Sequence, residues 1–141
     1  MNIELNLNIQ DGHCSISNIC INEIISSKAK QVFQSSILRN FMAIDREYLT
    51  LTNVNYKSDV WYCNLIFEHD ILIMIELFLA KIASMEAREI FLGHNKFLAL
   101  NFGPPTVSDA SKFMYINKWG RIGSYFDEKG ISSSILISWN K

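Results

Sequence analysis

Residues 61–79 read WYCNLIFEHDILIMIELFL, and this stretch decides the fold. Glu68-His69-Asp70 divides it into two apolar runs, Trp61–Phe67 and Ile71–Leu79, each of strand length and joined by turn-forming residues. The second run is apolar on both faces apart from Glu76. A buried helix is the competing reading. The β-branched and aromatic content, and the turn just before the run, favour a central strand.

Toward the N-terminus, Glu47–Thr52 alternates Tyr48, Thr50 and Thr52 against Leu49 and Leu51, as a strand does, and Asn53–Asp59 reads as a polar turn. Before them, Ile25, Ala29, Val32, Phe33, Ser36 and Ile37 share one face of a helix that Asn22, Ser26 or Ser27 could cap. At the start, Ile3, Leu5, Leu7 and Ile9 alternate with Asn2, Glu4, Asn6 and Asn8, the pattern of a half-buried antiparallel strand. Asp11-Gly12 then predicts a hairpin turn, with His13–Ser17 returning.

Toward the C-terminus, the spacing predicts the main helix over Ser84–Asn101. Ser84 is placed to cap it, and Glu86 and Glu89 lie near its positive end. Ala87, Ile90, Phe91, His94, Phe97 and Leu98 form its apolar stripe. Gly93 inside it suggests close packing on the sheet, and Gly103-Pro104-Pro105 ends it. Lys112–Lys118, Arg121–Phe126 and Ser133–Trp139 complete the chain as strands, turning at Trp119-Gly120 and Asp127–Gly130. The expected architecture is α+β: one domain over residues 1–141, a single antiparallel, curved sheet of about seven or eight strands with two helices packed on it.

Composition narrows the function classes. The 141 residues are 49% hydrophobic, with a net charge of −1, so no overall field draws in nucleic acid or an acidic membrane. The longest apolar run, Ile71–Ala83, is well short of the roughly 20 residues that cross a bilayer. Cys14, Cys20 and Cys63 are odd in number and form no C-x-x-C pair, which suits reduced thiols and a cytoplasmic setting.

Catalytic readings are weak. Cys63, His69 and Asp70 are the nearest approach to a nucleophile, base and orienting acid, but His69 and Asp70 fall at a hairpin tip. His13, Cys14, Cys20, Cys63 and His69 lack the short-spaced pairs of a zinc site, and His94 reads as a hydrogen-bonded packing histidine. No glycine-rich nucleotide loop is present. Glu86 and Glu89 share a helix face but suit the helix dipole better than a carboxylate pair. Phe113, Tyr115, Trp119, Tyr125 and Phe126 interleave with Lys112, Lys118, Arg121 and Lys129. Stacking platforms for single-stranded nucleic acid look like this, yet alternate aromatics on strands are ordinarily core. The expectation is a protein that is not an enzyme, with no cofactor and no metal.

One resemblance points further. Glu86, Arg88, His94 and Leu98 on a helix are followed by Gly103-Pro104, Trp119-Gly120-Arg121-Ile122, Ser124, Asp127 and Lys129-Gly130, then Ser133-Ser134-Ile135-Leu136-Ile137. This series resembles small bacterial toxin-immunity proteins, including those of contact-dependent growth-inhibition systems; residues 1–80 add nothing to it. The resemblance implies a helix packed on a terminal antiparallel meander, with Trp119 and Gly120 forming a corner and Asp127 and Gly130 shaping the last turn. It also implies a non-catalytic partner, the C-terminal domain of a cognate toxin. The near-neutral charge departs from the acidic immunity proteins that block nucleases, which leaves the toxin type open. Binding hot spots favour aromatic and arginine side chains with charged neighbours, so Arg121, Tyr125 and Glu128 are the candidate partner-binding residues. The alternative is a small ligand-binding or oligomeric accessory domain using the curved sheet face.

Overall fold

The computed structural model describes residues 2–79, 86–127 and 132–140, and in it the run 61–79 forms two antiparallel strands in the middle of one large sheet. In chain order the elements are β1 (Ile3–Leu7), β2 (Cys14–Ile16), β3 (Ile19–Cys20), α1 (Ser26–Val32), a 3-10 turn (Gln34–Ser36), β4 (Ile37–Ala43), β5 (Arg46–Tyr56) and β6 (Asp59–Glu68). They continue as β7 (Ile71–Leu79), α2 (Ala87–Phe102), β8 (Val107–Ser108), β9 (Lys112–Asn117), β10 (Gly120–Asp127) and β11 (Ser132–Trp139). The strands lie in the order β3-β2-β1-β5-β6-β7-β11-β10-β9-β8, and β4 pairs with β5.

The α+β class and the central position of Ile71–Leu79 agree with the sequence reading, but the sheet has eleven strands among the described residues rather than seven or eight. β3 and β8 are two residues each. The third addition, β4, corrects the first helix: α1 stops at Val32, and Ile37 opens a strand instead of closing a helical stripe. The sheet is also not wholly antiparallel, because β1 runs parallel to β5, with Ile3 opposite Val54 and Glu4 opposite Asn55. The expected turn at Asn53–Asp59 begins instead as a bulge, where Asn53 takes φ 58° and the strand resumes. That extra residue returns Val54 and Tyr56 to the core.

Local chemistry explains several joints. The hairpins at Ser17-Asn18, Lys57-Ser58 and His69-Asp70 all turn through two residues of positive φ, the hand that matches strand twist. None of the three expected caps holds α1, whose cap position is Ile25. Asn22 instead accepts from the Cys14 amide (2.7 Å) and donates to the Gly12 carbonyl (2.8 Å), bracing the β1–β2 turn. Helix α2 begins after Glu86, its cap position; the cap expected at Ser84 lies outside the described residues.

One face of the sheet forms the core. Leu49, Leu65, Ile75, Ile137 and Ile122 stand in register from β5 through β10, each fully buried. Burying each such side chain stabilises the fold by roughly 1.5–3 kcal/mol. Helix α2 covers this face, with Phe97 on Trp61 (ring centroids 5.3 Å apart) and Phe102 on Tyr115 (5.6 Å). The N-terminal segment closes the same core with Leu5, Ile16, Ile21 and Phe33.

The sheet curls until distant strands meet. Trp119 donates its indole N–H to the Ile9 carbonyl and Trp139 to the Gly12 carbonyl, both at 2.8 Å, although β5, β6 and β7 separate β1 from β11. Gly12 is required there: a Cβ on it would sit 2.5 Å from the Trp119 ring. The corner expected at Trp119-Gly120 falls one residue earlier, at Lys118-Trp119, and Gly120 opens β10 with φ 152° against the Ser138 carbonyl.

Candidate functional site

The opposite sheet face carries no described helix, and it holds an extended polar array. Alternation puts Arg39 (β4), Thr50 (β5), Asn64 (β6) and Glu76 (β7) in one row across the strands, with Ser134 (β11) diagonal to Glu76. Hydrogen bonds link them end to end. Arg39 Nε donates to Thr50 Oγ1 (3.4 Å), and Thr50 Oγ1 to Asn64 Oδ1 (2.6 Å). Asn64 Nδ2 donates to Glu76 Oε1 (2.9 Å), and Ser134 Oγ to Glu76 Oε2 (3.1 Å).

Aromatic pairs flank this ladder. Phe41 stacks on Tyr48 at 4.9 Å and 5°, with the Arg39 guanidinium 5.3 Å from the Phe41 ring centre. On the other side, Tyr62 stacks on Phe78 at 5.3 Å. Thr50 and Asn64 are buried beneath their neighbours, so a broken link leaves a polar group without water. Breaking the array at its centre is therefore costly. Its outer margin bears the Arg46–Glu68 ion pair (3.6 Å) and the exposed Arg121.

Two of the sequence-derived binding residues fall on this face. Arg121 lies opposite Ser138, and Tyr125 lies opposite Ser134 with its hydroxyl 3.4 Å from the Met114 sulfur. Glu128 lies outside the described residues. The ladder itself escaped the sequence reading. Its signal was the polar exception within each apolar strand, such as Glu76 in β7, but only strand register joins such exceptions.

The catalytic candidates come apart. Cys63 is fully buried on the core face opposite Leu77, and burial pushes its thiol well above the usual range. Burial likewise pushes Cys14 up to about 12, so neither thiol is a ready nucleophile. His69 and Asp70 form an exposed turn. Among the described residues no three His, Cys, Asp or Glu side chains group as metal ligands. No helix among them is long and apolar enough to cross a membrane.

His94 is a packing residue, as expected. Its Nδ1 lies 3.2 Å from Ser133 Oγ, its ring tilts on Trp61 at 5.7 Å, and burial lowers its pKa to about 4. The C-terminal aromatics are also mostly absorbed in packing. Phe126 stacks on Phe91, the Tyr115 hydroxyl donates to the Gly103 carbonyl (2.6 Å), and Trp119 spends its N–H on Ile9.

Cavities of about 480 Å³ beside Leu7, His13 and Lys57 and of about 520 Å³ beside Asp11, Cys20 and Glu23 open on the N-terminal segment, and two others bear on small ligands. A cleft of about 130 Å³ lies between α2 and the sheet at Asp59, Trp61, Glu89 and His94. It is smaller than the roughly 300–1,000 Å³ of typical ligand pockets. A groove of about 680 Å³ runs beside Trp119 and Trp139, but both indole N–H groups there are already bonded to backbone. Comparison with known protein families, curated proteins and solved structures finds no significant match.

Proposed function

We propose that this chain is an immunity protein that binds and neutralises a cognate toxin domain without catalysis, and that the sheet face opposite α2 is its binding surface. The observation that carries the reading is the hydrogen-bonded ladder from Arg39 to Ser134 with stacked aromatics on both sides. A surface already ordered in the free protein loses little conformational entropy on binding. Aromatic and arginine side chains are also the residues that most often dominate binding energy. The resemblance in residues 86–137 supplies the kind of partner. Protecting a cell from an enzyme that kills at low copy number needs nearly complete occupancy, hence nanomolar affinity or tighter, about −12 kcal/mol.

The test is co-expression with the C-terminal domain encoded by the adjacent reading frame, scored for growth and co-purification. Growth should be restored and the two proteins should purify together. Tyr48→Asp and Arg121→Glu should each weaken the complex at least roughly tenfold, about 1.4 kcal/mol. A harmless neighbour, or a toxic one that is neither bound nor neutralised, would sink the proposal. The ligand-binding alternative has the groove beside Trp119 and Trp139 in its favour, and there a small-molecule thermal-shift screen would reveal it.

A further inference from the structure

We propose that two copies of this chain pair edge to edge through β4, antiparallel, so that one sheet continues across a two-fold axis. This inference rests on the β4–β5 hairpin alone and stands apart from the toxin reading.

The first argument compares the edges. Open strand edges invite pairing, and proteins blunt them by keeping them short, charged or proline-bearing. Here β3 and β8, at the ends of the strand order, are two residues each. β4 is seven residues long, pairs among the described residues only with β5, and carries one charge, Arg39, and no proline. Every residue from Leu38 to Arg46 is exposed. Large apolar side chains stand among them: Leu38 at 56% exposure, Phe41 at 39%, Met42 at 67% and Ile44 at 98%. Ile44 also holds φ 58°, a conformation that β-branched residues rarely adopt. Exposed apolar surface and backbone strain thus coincide on one arm, as they do where a surface is kept for contact.

The second argument is the match of the strand to itself. Ala43 and Arg46 close a two-residue connection, so alternation turns the Ala43, Phe41 and Arg39 backbone groups toward β5 and those of Asn40 and Met42 outward. With the axis at Phe41, the Asn40 N–H and C=O of each copy bond to the partner's Met42. That satisfies four outward donors and four outward acceptors. Phe41 then meets the partner's Phe41 at a position without backbone hydrogen bonds, where Cα atoms approach to about 4.5 Å. Leu38 comes beside the partner's Ile44, and Arg39 opposite the partner's Ala43, so no like charges meet. A foreign strand could take the hydrogen bonds, but the second copy also supplies the apolar match. The faces opposite α2 in the two copies become one surface on the same side of the joined sheet.

A single strand pair is smaller than a standard interface, so dimerisation should be micromolar and concentration-dependent. Sedimentation velocity from low micromolar to near-millimolar protein should show mass rising from 16.2 kDa toward twice that value. Phe41→Lys and Met42→Lys should hold the protein monomeric throughout, with an unchanged circular-dichroism spectrum. Register is read by disulfide capture in a Cys20→Ser background, since Cys14 and Cys63 are buried. Phe41→Cys should cross-link to its own copy under mild oxidation and Ala43→Cys should not. If the lysine variants lose their fold, the cysteine variants decide alone. A monomer at every concentration, a dimer that survives both lysines, or equal cross-linking at both cysteines would overturn the proposal.

Discussion

Ile44, at φ 58° and almost wholly solvated, sits where asparagine or glycine is at ease. Ile44→Asn should raise unfolding stability by about 1 kcal/mol and the melting temperature by about 2–4 °C, measured dilute enough to keep the chain monomeric. No gain would mean that Ile44 makes contacts within its own chain that offset the strain. Gly120 is the reverse case. A Cβ there would lie 2.1 Å from the Ser138 carbonyl oxygen and 2.8 Å from the Trp139 Cα, both backbone atoms that cannot swing aside. Gly120→Ala should cost more than about 2 kcal/mol in a denaturant titration, and an unchanged midpoint would refute the close approach. The sequence marked Gly120 as a corner because two strand patterns flank it. The strain at Ile44 was hidden, since isoleucine is among the last residues expected in a turn.

Among the elements, α2 shows how far a pattern can be read. Its stripe of Ala87, Ile90, Phe91, His94 and Leu98 is buried as the 3.6-residue period requires. Gly93 is not the close-packing point it suggested: it is exposed, and an added Cβ would meet nothing within 4 Å. Gly93→Ala should therefore stabilise the helix by about 1 kcal/mol, read from the thermal unfolding midpoint; a loss would place an unseen neighbour over it. β4 escaped detection for a physical reason. A period-two signal records which side is buried, and a strand exposed from Leu38 onward has no buried side to record. The parallel pairing of β1 was equally silent, because one apolar face suits either direction. The ladder needed register, a property of strand pairs that no single segment carries.

For the molecule as a whole, one buried ring makes stability depend on pH in the acid range. Burial holds His94 neutral down to about pH 4, whereas the unfolded chain takes up the proton near 6.5. Between those values the unfolded state binds more protons, so the stabilisation is complete above about pH 6.5 and is lost as pH falls to 4. The span corresponds to about 3 kcal/mol at most. Urea titrations of the wild type should show stability falling across this window, and His94→Gln should flatten the fall; equal slopes would refute the assignment. Closure of the curled sheet has a different consequence. The carbonyls of Ile9 and Gly12 take their indole partners from residues 110 and 127 positions later in the chain. The parallel pairing of β1 likewise waits for β5, so β1 cannot settle until strands made much later exist. Such distant closures slow folding. During synthesis the apolar side of β1 must stay uncommitted, and the tryptophan latch at residues 119 and 139 is among the last joints to shut.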